Sequence, residues 1–187
     1  MIERTLLLVK PDGVYRSLVG RIISKIEDAG LKVVAIKIVK ADRKIAGEHY
    51  IEDREWMVSV GNKTIASYKE KGTPLNDTAL EIGMRIRNFL IEYLVSGPVV
   101  PMVIEGNEAI SIVRKLTGAT EPKRADPSSL RGMYCSDSYQ FADDGKRPIR
   151  NLVHASEDKK TADREIAVWF KNKELVEYKR ADETAMY

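Results

Sequence analysis

The sequence predicts an α+β sandwich in which four short strands alternate with helices, folded as a split β-α-β unit. Three observations carry this. Apolar, strand-like runs recur at 5–9, 31–39, 99–104 and 149–153. Between and after them, apolar residues return at steps of three and four, the period of an amphipathic helix. Gly, Pro, Asn and Asp mark the junctions. The order reads β, α, β, α, β, α, β, α with extra helices. A small parallel doubly wound sheet is the alternative the same pattern allows.

Thr5-Leu6-Leu7-Leu8-Val9 is a continuous apolar run, as expected of a strand buried on both faces. Lys10-Pro11-Asp12-Gly13 stops it and leaves Lys10 at the strand's C-terminal end, where loops build sites. Val19, Ile22, Ile23 and Ile26 mark a helix face, closed by Ala29-Gly30. Leu31 to Val39 is a second strand, rich in Val and Ile. Asp42 caps a short helix running towards His49-Tyr50. Over 51–78 the pattern is weaker. Gly61-Asn62-Lys63-Thr64 and the stretch 72–77 carry turn chemistry, while Trp56, Met57 and Tyr68 give the segment something to pack.

Ala79, Ile82, Ile86, Phe89 and Tyr93 define an amphipathic helix, ended by Ser96-Gly97-Pro98. Val99 to Ile104 is the third strand. Asn107 to Leu116 is a helix with Gly118 as its stop. Residues 120–150 read mostly as loop, a length that in a compact domain usually serves function. Ile149 to Val153 is the fourth strand. Ser156-Glu157-Asp158 starts a helix on which Ala162, Ile166, Trp169 and Phe170 recur. A charged tail, 171–187, follows without a clear pattern.

Composition narrows the function classes. The 187 residues fit one domain with extensions, 43% hydrophobic and 32% charged. A net charge of +3 is too mild to argue for nucleic acid, and anionic small ligands suffice to explain it. A single cysteine, Cys135, excludes an internal disulfide and a multi-cysteine zinc site, and points to a reducing compartment. Met1 to Thr5 begins with charge, so no signal peptide is expected, and no stretch approaches a membrane span. The expected location is cytoplasmic.

Chemistry concentrates at Asn151-Leu152-Val153-His154-Ala155-Ser156-Glu157, which holds one of the two histidines of the chain. His154 falls at a strand end just before a helix. A neutral imidazole serves as nucleophile or proton carrier without a metal. Glu165 on the following helix is suited to orient the ring. A lone histidine is as readily a packed structural residue, and the other residues must decide. No P-loop and no Gly-x-Gly-x-x-Gly is present, so bound phosphates need side chains. Lys10, Arg114 and Arg131 are the candidates, because guanidinium forks hold phosphoryl oxygens.

Leu8-Val9-Lys10-Pro11-Asp12-Gly13-Val14, Leu18-Val19-Gly20, His49-Tyr50, Ser96-Gly97-Pro98-Val99-Val100, Glu105-Gly106, Gly118-Ala119-Thr120, Leu130-Arg131-Gly132 and Asn151 to Ser156 occur in this order over most of the chain. Together they resemble the nucleoside diphosphate kinase family. The resemblance implies a ferredoxin-like α/β sandwich with a four-stranded antiparallel sheet plus extra helices. It implies assembly as a hexamer or tetramer. The implied reaction moves the terminal phosphoryl group of ATP or another nucleoside triphosphate to a nucleoside diphosphate, by a ping-pong route through a phosphohistidine, with broad base specificity. Mg2+ would arrive on the nucleotide phosphates, with no protein cage for the metal.

Carried over by position, His154 is the nucleophile, Glu165 holds its second ring nitrogen and Ser156 supports the same cluster. Lys10 and Tyr50 lie near the terminal phosphate. Arg114, Thr120 and Arg131 bind phosphates, and Asn151 with Lys10 contacts the sugar hydroxyls. Ile86 and Leu90, i and i+4 on one helix face, clamp the base.

Several positions depart from the family pattern. Ile86 stands where the family usually has Phe, and isoleucine packs a base without stacking on it. Phe89, Trp56 or Tyr68 are the alternative sources of stacking. Met133-Tyr134 replaces an Asp-Phe pair, Ala155 replaces Gly, and Glu157 replaces Asp. Two stretches read as inserted: 51–78, a helical lid over the nucleotide or an oligomer contact, and 135–146, which is expected to pad a subunit interface. Residues 171–187 are an extension. Two other classes stand beside the enzyme. One is a non-catalytic nucleotide-binding member of the same fold, against which the intact Lys10, Arg114, Arg131, Asn151, His154 and Glu165 set argues. The other is a nucleic-acid-binding module, which would want exposed aromatics on its strands and a basic stripe.

Overall fold

The computed structural model describes residues 1–72 and 75–183. Five strands are β1 (Ile2–Val9), β2 (Lys32–Ile36), β3 (Val39–Lys40), β4 (Pro98–Asn107) and β5 (Val153–Ala155). The helices are α1 (Pro11–Tyr15), α2 (Val19–Asp28), α3 (Arg43–His49), α4 (Arg54–Glu70), α5 (Ala79–Val95), α6 (Ala109–Thr117), α7 (Leu130–Tyr134), α8 (Tyr139–Asp144) and α9 (Lys159–Trp169). The main strands lie in the order β2-β4-β1-β5, all antiparallel, and β3 pairs with the start of β4. This is the antiparallel ferredoxin-like sandwich, and the parallel doubly wound alternative is excluded.

The run Leu6-Leu7-Leu8-Val9 is continuous because the sheet is covered on both faces. Leu7 and Val9 enter one core with Ile22 and Ile26 of α2 and Val113 of α6. Leu6 and Leu8 enter the other with Ala46 of α3, Ile91 and Leu94 of α5 and Trp169 of α9. The same alternation acts in β5. Val153 enters the first core, so His154 turns to the side of α3 and α9.

Three sequence expectations are corrected. Gly61-Asn62-Lys63-Thr64 is no turn: it lies inside α4, which packs antiparallel on α5. A Cβ at Gly61 would sit 1.9 Å from the carbonyl oxygen of Ala79, and one at Gly83 2.1 Å from that of Met57. Glycine is there for close helix approach, not for turning. Gly72 lies in a turn that follows α4, at φ +74°; of the stretch 72–77, Thr73 and Pro74 lie outside the described residues. Second, the strand expected over 149–153 begins only at Val153 and runs to Ala155, so His154 lies within it. The stretch 120–150 is mostly irregular, as expected, and also holds a 3-10 turn at Pro122–Arg124, then α7 and α8, each of these two helices started by a serine accepting from a backbone N–H. Third, the strand expected over 31–39 is broken into β2 and β3.

The tail has a place. The Val176 N–H donates to Val34 O, the Tyr178 hydroxyl to Val33 O and Arg180 to Leu31 O, so the described tail lies along β2, at the end of the sheet order.

Candidate active site

β5 is short and is held by what precedes it. His154 stands opposite Leu8 of β1, and Val153 opposite Val9. Lys10 N–H donates to Leu152 O at 2.9 Å, and Leu152 N–H donates to Asp12 Oδ2 at 3.0 Å. Leu152 has φ +70°, a conformation that costs a non-glycine residue about 1 kcal/mol. Those two bonds from the turn after β1 offset that cost and set the direction in which the chain enters His154.

His154 Nε2 lies 2.8 Å from Glu165 Oε2, and the Ser156 hydroxyl donates to the same oxygen at 2.7 Å. Arg164 donates to the other oxygen at 3.2 Å. Glu165 is 3% exposed, so a buried carboxylate is matched by three donors, which is what keeps such a group in place. A carboxylate oxygen accepts, so the facing Nε2 carries the ring proton. Nδ1 then keeps its lone pair, and the His154 side chain is 21% exposed to solvent. Chemically this is a positioned nitrogen nucleophile at a surface opening.

Lys10 is buried at the same strand end. Its Nζ donates to Asn151 Oδ1 at 2.7 Å, and Asn151 Nδ2 donates to Thr120 O at 2.9 Å. Burial first, and then Arg131, lowers the Lys10 ammonium to about 7, against the upward pull of Asp12 and Cys135. Arg131 is also buried. It donates to the carbonyls of Asn151 at 3.1 Å, Gly118 at 2.8 Å and Val153 at 2.8 Å, stitching β5 to the loop after α6. Arg114 and Thr120 are exposed. Ile86 and Leu90 are half-buried on α5, and neither belongs to the buried cores.

Tyr50 follows α3 and packs near His154, with ring centroids 6.2 Å apart. Its hydroxyl is raised, by burial first and then by Glu165. The second histidine joins here as well. His49 meets His154 edge to face at 4.4 Å, and the Trp169 indole donates to its Nδ1 at 3.3 Å. Burial, and then His154, Arg164 and Lys10, hold His49 neutral. The sequence reading takes Tyr50 from the His49-Tyr50 pair and leaves out its neighbour. It also leaves out Asp12 and Arg164. The signal for His49 is the bare count, two histidines in 187 residues. Nothing in the sequence alone marks Arg164 or Asp12 by chemistry.

His49, His154 and Glu165 form a group with metal-like spacing, their donor atoms within 4.8 Å of one another. Their hydrogen bonds oppose that use. His49 Nδ1 accepts from Trp169, so Nε2 carries the proton, and His154 Nε2 is already engaged by Glu165. The Asp12 carboxylate gives only Oδ2 to Leu152, and its buried Oδ1 has no hydrogen-bond partner among the described residues. The site offers two buried cations, Lys10 and Arg131, for phosphates.

A histidine positioned by a buried carboxylate, with Lys10 and Arg131 beside it, is the equipment of a phosphoryl-transfer centre. Comparison with known proteins agrees. The nucleoside diphosphate kinase family profile matches residues 3–64 and 83–175. A nucleoside diphosphate kinase from Pyrobaculum aerophilum is 45% identical over 181 residues, covering 94% of this chain and 99% of that protein. The crystal structure of an NDP kinase from the same organism superposes with a TM-score of 0.91 at 43% identity, over 95% of this chain and 100% of that one. A structure of the Borrelia burgdorferi nucleoside diphosphate kinase, a transition-state mimic with bound vanadate and ADP, superposes with a TM-score of 0.80 at 36% identity, over 98% of this chain and 96% of that one. This chain belongs to the nucleoside diphosphate kinase family.

Proposed function

We propose that this chain carries out its family's reaction through His154, moving the terminal phosphoryl group of a nucleoside triphosphate to a nucleoside diphosphate in two half-reactions at one site. The observation that carries the reading is the single hydrogen-bonded ring nitrogen: Nε2 is held by Glu165, and Nδ1 is left to attack. In the first half, the Nδ1 lone pair attacks the γ-phosphorus, the bond to the β–γ bridging oxygen breaks, and the diphosphate leaves. In the second, a β-phosphate oxygen of another diphosphate attacks the same phosphorus and the N–P bond breaks, returning neutral His154. Glu165 and Ser156 fix the tautomer and the ring plane throughout.

Lys10 and Tyr50 attend the transferring group, and Lys10 supplies positive charge where the phosphoryl oxygens gather it. Arg114 and Thr120, both exposed, reach out to the phosphates. Arg131 gives three hydrogen bonds to backbone, so its share of phosphate binding falls to its remaining N–H groups. Asn151 is engaged at both ends of its amide and meets the sugar hydroxyls through its second hydrogen and lone pair. Ile86 and Leu90 clamp the base by apolar contact, which reads no base edge and suits broad base use. Mg2+ enters with the nucleotide as part of the substrate and shields phosphate charge.

Among the described residues no helix is long and apolar enough to cross a membrane. We place the enzyme in the cytoplasm, as a homo-oligomer, hexamer or tetramer. The segment 51–78 is read as an addition to the family pattern, and the family profile passes over 65–82. The segment 135–146 is a second addition, and the two touch: the Tyr68 hydroxyl of α4 is raised by burial and by a hydrogen bond to Asp143 of α8. Phe141, 67% exposed, and Tyr139 give the second addition an apolar outer surface, which suits a subunit contact. Light scattering on a chain lacking 135–146 is expected to show a smaller particle; an unchanged oligomer refutes that role.

Mixing the protein with ATP, GDP and CDP tests the activity. GTP and CTP should both form, and neither with His154→Ala. Formation of only one product would refute broad base use, and activity in His154→Ala would refute the nucleophile.

A further inference from the structure

The last carbonyls of α3 have no partner within their own helix, as at any helix end. Two arginines from two other helices take them. Arg87 of α5 donates from Nε to Tyr50 O at 2.7 Å and from Nη2 to Gly47 O at 3.4 Å. Arg164 of α9 donates from Nη1 to the carbonyls of Glu48 at 2.9 Å and His49 at 3.2 Å. Its Nη2 donates to Glu165 Oε1 at 3.2 Å. One guanidinium thus spans the carboxylate that holds His154 and the backbone that carries His49 and Tyr50.

We propose that Arg164 is a positioning residue for phosphoryl transfer, locking the Glu165 carboxylate and the His49-Tyr50 segment into one unit around His154. The argument rests on the His154 reading above. Glu165 Oε2 is shared by His154 and Ser156, and Oε1 has Arg164. Without Arg164 the buried Oε1 loses this donor, and the carboxylate turns to find another. That rotation moves the oxygen that fixes the imidazole. On the other side, His49 packs edge-on against His154, so slack at the end of α3 also reaches the ring. Only a planar fork with several N–H groups spans a carboxylate and two carbonyls at once; an ammonium is a single point of charge. Arg164 touches none of the groups assigned to the nucleotide, so it acts on the chemical step and not on binding. Its side chain is 33% exposed, so small solutes reach its place.

The test uses the full chain, wild type beside Arg164→Ala and Arg164→Lys. Phosphohistidine formation from saturating ATP is followed by rapid quench, with ADP affinity and the melting midpoint measured on the same samples. Arg164→Ala should phosphorylate about 10- to 100-fold more slowly, the usual consequence of a misplaced reacting group, with ADP affinity unchanged. Arg164→Lys should recover only part of the rate, and added guanidinium ion, below denaturing concentrations, should partly restore Arg164→Ala. A wild-type rate in Arg164→Ala overturns the proposal. So does a loss of rate matched by loss of ADP affinity and untouched by guanidinium, which is the signature of a merely structural residue. Should Arg164→Ala fail to fold, Arg164→Lys decides: a reduced rate with intact ADP binding supports positioning, and a wild-type rate overturns it. If the wild type itself takes up no label, the His154 reading fails, and this inference with it.

Discussion

Lys10 Nζ donates to Asn151 Oδ1 at 2.7 Å, joining residues 141 positions apart at the buried edge of the site. Among the described residues no carboxylate shares that contact. The ammonium is desolvated, Arg131 stands near, and Lys10 titrates at about 7. A group lowered in this way is largely neutral above that pH, and a bound polyphosphate favours its charged form. Nucleotide binding at about pH 8 should therefore take up a proton, and affinity should weaken as pH rises above 7. Titration calorimetry in two buffers of different ionisation enthalpy measures the uptake. Lys10→Met should abolish it. Binding without proton uptake in the wild type would refute the assignment.

The α4–α5 hairpin depends on two glycines. Gly61 faces the Ala79 carbonyl and Gly83 the Met57 carbonyl, each at a distance no Cβ can share. Gly61→Ala or Gly83→Ala should force the helices apart and destabilise the fold by about 1–3 kcal/mol. At this chain length each kcal/mol lowers the melting midpoint by roughly 2–4 °C, which calorimetry resolves. A midpoint equal to wild type would mean that the helices do not pack this closely.

Arg131 gives Nε, Nη1 and Nη2 to three separate carbonyls. Arg131→Lys keeps the charge and loses most of that stitching. It should cost about 1–3 kcal/mol of stability as buried carbonyls lose their donor. Denaturant titration checks this. A residue serving only as a phosphate ligand would lower nucleotide affinity and leave the unfolding midpoint alone.

Burial pushes the Cys135 thiol up to about 11. The thiolate is the reactive form, so little is present near neutral pH. Alkylation by iodoacetamide at about pH 8 should be far slower in the folded protein than in denaturant. Equal rates would show an ordinary thiol.

Much of this site is legible in the sequence. The strand run before Lys10, the strand-to-helix junction at His154 and the helix carrying Glu165 follow from local pattern, and the structure brings His154, Glu165 and Ser156 into direct contact. What is illegible is non-local or cryptic. Gly61 looks like a turn residue because glycine signals both turning and close approach, and only the facing helix decides between them. Within the mostly irregular stretch 120–150, α7 and α8 stay hidden because they are five and six residues long, too short for periodicity to show. Arg164 and Asp12 look like surface charges, and their backbone partners lie more than 100 positions away. Arg131 is recognisable as important, but that it spends three donors on backbone is a property of the folded chain.

The most direct test of the account is chemical. The protein is incubated with γ-labelled ATP, and the labelled product is characterised by mass spectrometry, wild type beside His154→Ala. The account predicts label on His154 alone, lost in acid, stable in base, chased off by GDP or CDP, and absent from the variant. Label on any other residue, or ATP binding with no label at all, would contradict it.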